Sequence, residues 1–305
     1  MSRRRPAKRW RRGLWYLLAV AAAFTVAVLV VRSLRDYERV PERPFFDAPE
    51  PMIFAHRGAS ARELENTQSA FDEALRVGAD VLELDLRLTG DGVPVVAHDA
   101  DLDRALGVPL TIADNTLAEL REALSRTDID RDPGALLLTF EDALRRYDGA
   151  RLNAELKDDD DALAESVAAL IDRFEAHDRV LVASFHGSAL RAFRDAAGGR
   201  VATSAATGEA VRFYACFVVR MPCRPDFEAL QIPPSAGKGP MTLDLTSRRF
   251  LTFARRHGLA VHYWTVDDPD EIERLFALGA DGVMTNTPER AIEARTRALA
   301  APPNH

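Results

Sequence analysis

Residues 78–99 read GADVLELDLRLTGDGVPVVAHD. From 81 to 88 apolar and polar side chains alternate, the period of two that marks a β-strand with differing faces. Glu83 and Asp85 are two apart, so they project from the same face. Thr89-Gly90-Asp91-Gly92 is a turn signal, and the strand-like run 94–98 follows it, which predicts a hairpin. A turn centred near Gly90 and Asp91 sets Glu83 opposite His98. If 94–98 is instead a strand of the main sheet, His98 still ends a strand. Either way a histidine is brought to two carboxylates.

Working outward, the same kind of strand recurs with helices between. Strands are expected at 52–56, 81–88, 150–156, 179–185, 200–206, 229–233, 260–266 and 281–285. Helical spacing is read at 67–77, 163–174, 188–196, 211–219, 247–257, 269–278 and 288–300. Eight strands with helices or loops between them, over about 250 residues, predict an α/β TIM (β/α)8 barrel. The competing open doubly wound sheet calls for glycine-rich phosphate turns, which the sequence lacks. Residues 99–139 break the rhythm. They are read as an insertion after the His98-Asp99 strand, and as a cover over the site at the barrel mouth.

The ends have another character. Residues 1–35 hold nine Lys/Arg and no Asp/Glu, so the rest carries 31 basic against 47 acidic residues, a net charge of −16. So acidic a body repels nucleic-acid backbones, and no nucleic-acid partner is expected. Residues 1–13 form a basic tail, and 14–31 an uncharged apolar stretch about 27 Å long as a helix, enough to cross a hydrocarbon core. The reading is a single-pass anchor with a cytoplasmic N-terminus and an extracytoplasmic catalytic domain, periplasmic or at the cell surface. A cleaved signal peptide is the alternative, but no small-x-small site follows the stretch. Residues 32–50 are read as a linker, 51–297 as the barrel, and 298–305 as a tail. Cys216 and Cys223 are expected to be free buried thiols, because seven residues on one helix separate Cα atoms by roughly 10 Å. Pro222 leaves a disulfide open by breaking that helix.

The chemistry lies in four short pieces: His56-Arg57-Gly58, Glu83-Leu84-Asp85, His98-Asp99 and Glu155-Leu156-Lys157. Each sits at or near a strand end. Three convergent carboxylates, Glu83, Asp85 and Glu155, need a counter-charge, and a hard divalent cation such as Mg²⁺ or Ca²⁺, with Mn²⁺ also suitable, meets that need. The alternative for a single acid is that Glu83 or Glu155 pairs with Arg57 or Lys157 for structural reasons. His56 and His98 offer a general acid and a general base near neutral pH. Arg57 suits bidentate phosphate contact, Lys157 adds positive charge, and Gly58 permits close backbone approach.

Seven motifs extend the reading: FAHRG (54–58), ENTQSAF (65–71), the opening stretch itself, NAELK (153–157), ASF (183–185), HYWTVDD (262–268) and GADGVMTNTPE (279–289). In these the chain resembles the glycerophosphodiester phosphodiesterase family over residues 52–290. The resemblance implies a TIM barrel that hydrolyses glycerophosphodiesters to an alcohol and glycerol 3-phosphate with a divalent metal. It implies metal ligation by Glu83, Asp85 and Glu155, acid/base work by His56 and His98, and phosphate contact by Arg57 and Lys157. Trp264 matches an aromatic position that packs on the glycerol side; a core tryptophan is the other reading. After His98-Asp99 the chain departs from the family's usual Arg-Thr-Thr-like stretch, and residues 207–245 match no motif.

The expected function is metal-dependent hydrolysis of a small-molecule glycerophosphodiester. Water and the substrate's own 2-hydroxyl both remain as attackers, and the acid and base are not told apart. The alternatives are a lysophospholipase D, a phosphatidylinositol-type phospholipase C and a non-catalytic phosphodiester binder. Small diesters are expected to be preferred to lysophospholipids, because the apolar residues of 99–139 are interrupted by Asp101, Asp103, Arg104 and Thr111.

Overall fold

The computed structural model describes residues 39–49, 51–237 and 242–300, with positions 16–18, 20, 24 and 25 before them. Eight parallel strands form a ring: β1 (Met52–His56), β2 (Val81–Leu88), β3 (Arg151–Leu156), β4 (Val180–Ala183), β5 (Ala202–Thr203), β6 (Ala229–Ile232), β7 (Ala260–Tyr263) and β8 (Gly282–Thr285). Their spatial order is β5-β4-β3-β2-β1-β8-β7-β6. The two ends meet through a parallel bridge between Ser204 and Ala229. Ala205 N–H donates to the Ala229 carbonyl at 2.8 Å, and Glu228 N–H to the Thr203 carbonyl at 2.9 Å. The sheet is therefore TIM-barrel-like and not an open doubly wound one.

A helix follows every strand: α1 (Gln68–Val77), α2 (Phe140–Arg146), α3 (Asp161–Arg173), α4 (Gly187–Ala196), α5 (Thr207–Val219), α6 (Arg248–Arg256), α7 (Pro269–Leu278) and α8 (Pro288–Ala300). Local chemistry sets their ends. In α7, Asp268 caps the N-terminus by accepting from Asp270 N–H, Pro269 stands in the first turn, and Gly279 closes the helix at φ 99°. The period-two pattern then sorts the strand residues. Leu82, Leu84, Leu86, Leu152 and Leu156 face outward into the helical layer. Met52, Phe54, Val81, Leu181 and Met284 fill the interior. Glu83, Asp85 and Glu155 share the inward parity.

Three expectations are corrected. The hairpin strand Pro94–Val96 pairs Leu86 with Val96 and Leu88 with Pro94, so its turn centres on Asp91 and the register differs by one residue from that expected. Its last strand residue is Val96, and His98 reaches the site from the loop beyond. The described part of the expected linker is packed: Phe45 is fully buried among Met52, Phe54 and Val81, where it closes the barrel floor. The cysteines are joined: Cys216 and Cys223 form a disulfide with Cα atoms 6.1 Å apart. Helix α5 ends at Val219, Arg220 turns left-handed at φ 57°, and Met221 N–H donates back to the Cys216 carbonyl. That reversal removes the helical separation on which the free-thiol reading rested.

The anchor read at 14–31 lies mostly outside the described residues, as do the basic tail, residues 32–38 and the end of the C-terminal tail. Among the described residues no helix is long and apolar enough to cross a membrane.

Candidate active site

Strand register assembles the acidic corner. His56 stands beside Glu83, and Asp85 beside Glu155. Inward parity and neighbouring strands thus converge three carboxylates whose oxygens lie within 4.8 Å of one another. Arg57 N–H donates to Glu83 Oε2 at 2.8 Å. Arg57 Nε stands 3.2 Å from Asp85 Oδ2, and its Nη1 is 3.1 Å from Glu65 Oε1. Lys157 Nζ lies 3.0 Å from Glu155 and 3.3 Å from Asp85 Oδ1. His56, Arg57, Glu83, His98, Glu155, Lys157 and Trp264 line one cavity of about 580 Å³, and Asp85 lies buried behind them.

The three acids outnumber the two cations, and burial with that imbalance sets the direction in which each is shifted. Burial, then the Asp85 and Glu155 charges, push Glu83 well above the usual carboxylate range. Burial and Asp85 also raise Glu155, against the pull of Lys157. Asp85 goes the other way. Burial opposes its ionisation, but Lys157, Arg57 and the Asn66 amide together hold it below the usual range. Lys157 is raised because Asp85 and Glu155 outweigh its own burial. Asp85 Oδ1 nevertheless has no hydrogen bond. A buried carboxylate oxygen met only by an ammonium at 3.3 Å, next to two acids whose burial disfavours ionisation, suits a cation-binding corner.

Each histidine has an orienting partner. His56 Nδ1 is 2.8 Å from Asn286 Oδ1. The Asn286 amide is fixed in turn, because its Nδ2 donates to Asp267 Oδ2 at 2.7 Å and its backbone N–H to Asp267 Oδ1 at 2.7 Å. An amide oxygen only accepts, so His56 carries its proton on Nδ1 and leaves Nε2 for the cavity. Burial holds His56 below the ordinary histidine value, more than the Asn286 bond raises it. His98 Nδ1 meets Asp99 Oδ1 at 2.7 Å, and Asp99 is gripped by Arg104. Sequence reading missed Asn66, Asp267 and Asn286, and gave Asp99 no role. All three stood inside quoted motifs, but a neutral amide carries no charge signal and Asp267 sits apart in sequence from the other acids of the site. Only their contacts reveal them: Asn66 Nδ2 donates to Asp85 Oδ2 at 2.8 Å.

Gly58 has a different task from the one expected. At φ 83°, a Cβ there would meet the Ala70 backbone at 2.6 Å, so glycine lets the loop pack on α1.

The far wall of the cavity is apolar. Phe185, Val211, Tyr214, Ile232, Leu245 and Phe250 line it, and Trp264 meets Phe185 edge-on at 5.5 Å. No residue of 99–139 is among the lining residues. The expected cover therefore lies elsewhere: α5 and the segment leading into α6 form the wall. The insertion instead buries Leu102, Leu106, Val108, Leu120 and Leu124 in a small core of its own against Val95. Its apolar residues satisfy one another, which leaves none for the cavity.

A parallel barrel with convergent carboxylates, paired oriented histidines and two cations at one mouth defines a phosphoric diester hydrolase. The chain belongs to the glycerophosphoryl diester phosphodiesterase family, whose profile matches residues 56–290. It is 31% identical to a probable glycerophosphodiester phosphodiesterase 2 of Mycobacterium tuberculosis, over 77% of this chain and 87% of that one. It is 26% identical to a human lysophospholipase D, covering 77% and 83%. A crystal structure of a glycerophosphodiester phosphodiesterase from Agrobacterium tumefaciens superposes with a TM-score of 0.65 at 25% identity, over 80% and 99% of the two chains.

Proposed function

We propose that this hydrolase cleaves glycerophosphodiesters to an alcohol and glycerol 3-phosphate, using one divalent cation and the two histidines. The observation that carries the reading is the meeting of Glu83, Asp85 and Glu155 in a buried corner of the cavity that His56 and His98 line. The all-oxygen donor set of three converging carboxylates fits a hard ion such as Mg²⁺, Ca²⁺ or Mn²⁺. Glu83, Asp85 and Glu155 would hold it, and when bound it supplies positive charge to the phosphoryl group. Arg57 and Lys157 bind the remaining phosphate oxygens. His56, kept neutral by burial and backed by a neutral amide, accepts the proton of the attacking oxygen at Nε2. His98, backed by the Asp99 carboxylate, protonates the departing alkoxide. Removing divalent metal with a chelator is expected to abolish hydrolysis of glycerophosphocholine, and Mg²⁺, Ca²⁺ or Mn²⁺ to restore it. Full turnover by enzyme with metal removal verified ends the metal assignment.

The apolar wall favours a second substrate reading. Tyr214, Ile232, Leu245 and Phe250 offer an acyl chain apolar contact, at about 0.8 kcal/mol per buried CH₂. The preference for small diesters rested on residues 99–139 as the cover, and that basis is gone. A lysophospholipid is the substrate class this wall supports. The deciding measurement is kcat/KM for lysophosphatidylcholine in mixed micelles against glycerophosphocholine, and a preference for the latter returns the reading to small diesters.

The apolar stretch 14–31 serves in this proposal as an anchor, with the barrel outside the cytoplasm. The Cys216–Cys223 disulfide supports an oxidising compartment. A C-terminal reporter that works only in the cytoplasm should be silent, and a bright one reverses the topology.

A further inference from the structure

Helix α5 carries apolar residues where solvent favours charge. Val211, Val218 and Val219 are 65%, 61% and 60% exposed. With Ala215 they recur at i, i+4, i+7 and i+8, a single helical stripe. The other face of the helix is firmly docked, with Phe213 against Phe253 and Phe217 against Phe250 of α6. The stripe is therefore surplus to the core. Between α5 and α6 lies a second cavity of about 560 Å³, lined by Phe217, Val218, Arg220, Arg248, Arg249 and Arg256 among others. No carboxylate is among its lining residues. Four arginines together run against a body whose net charge is −16.

This flank connects two places. At one end Val211 belongs both to the stripe and to the wall of the catalytic cavity, which exposed Leu243 also lines. At the other end Val40 N–H donates to the carbonyl of His257, directly after α6, at 2.9 Å. The chain coming from the apolar stretch 14–31 thus joins the barrel at the foot of this flank. From Val31 to Val40 it reaches at most about 30 Å.

We propose that the α5–α6 flank is a docking face for an anionic phospholipid bilayer. The valine stripe enters the interfacial layer, and Arg220 and Arg249 take lipid phosphates through their forked donors. Exposed apolar surface rimmed by charge is the pattern such contact requires. The Cys216–Cys223 disulfide ties the end of α5 to the following loop, which holds Val218, Val219 and Arg220 in position. The inference rests on the membrane reading above and adds to it the side of the barrel that meets lipid.

The test uses the full chain with vesicles of phosphatidylcholine alone or with phosphatidylglycerol added, read by amide hydrogen exchange. Amides of 211–220 and 248–256 are expected to exchange about tenfold more slowly with the anionic vesicles than with the neutral ones. The double variant R220E/R249E is expected to lose that difference while hydrolysing glycerophosphocholine in detergent at the unaltered rate. Equal exchange with both lipids, or protection retained in the variant, overturns the proposal. So does equal protection by inorganic phosphate without vesicles, which would mark a small-anion site. Flotation with neutral vesicles reports the anchor separately, so loss of one reading is distinguishable from loss of the other.

Discussion

The cavity has two halves built on different principles. The acidic half comes from β1, β2 and β3 and the loop after the hairpin, where charged residues sit at fixed parity and adjacent register. The apolar half comes from β4 to β7, α5 and the segment entering α6. In the first, each residue is costly to bury and tolerable only with its partners, so the local sequence is constrained to a pattern. In the second, many apolar residues could do the same work, so beyond Phe185 and Trp264 no motif marks it. Chemistry is written locally, while the surface that selects a substrate is collective.

The contrast should break first at the acids. Asp85→Ala is expected to reduce kcat by about 10³-fold or more, with the fold retained by circular dichroism. Activity within tenfold of wild type would mean that the acidic corner is structural. His56→Ala and His98→Ala should each cost about 10²-fold, and the double variant little more than either alone, because the two groups act on one transition state. Multiplicative losses in kcat would assign them to independent tasks.

The apolar half should respond to substrate rather than to chemistry. Leu243→Asp, at an exposed lining position, is expected to lower kcat/KM for lysophosphatidylcholine about tenfold and to leave glycerophosphocholine within about twofold. Equal losses on both substrates would erase the distinction between the halves.

Smaller effects sharpen the acidic half. His56 must be neutral to accept a proton, and burial sets its value below the ordinary 6.5. The acid limb of the kcat/KM profile is therefore expected below pH 6.5. Asn286→Asp places a carboxylate at Nδ1, favours the protonated ring and should move that limb up by about one pH unit. An unmoved limb assigns it to another group. Arg104→Ala, which frees Asp99 behind His98, is expected to lower kcat about threefold to tenfold. It tests the link that the insertion makes to the site through Asp99 and Glu65.

Much of this was legible in the chain itself. Alternation at 81–88 set Glu83 and Asp85 on one face, the strand count pointed to a closed barrel, and the motif blocks carried the family. These readings succeed because strand parity and helix capping are local, decided within a few residues. Asn66, Asp267 and Asn286 were not legible, since an amide or a lone carboxylate becomes an orienting group only through the atom it meets. The disulfide was misread because a continuous helix was assumed where Arg220 reverses the chain. The cover was assigned to 99–139 because a long loop near a site looks like a lid. Only packing revealed that its leucines close on one another, and that α5 supplies the wall. The sequence by itself determined the barrel and its charged pole, because side-chain direction along a strand follows from backbone geometry alone. Tertiary structure decided the orienting partners, the disulfide and the apolar wall, because each depends on atoms brought together from far apart in the chain.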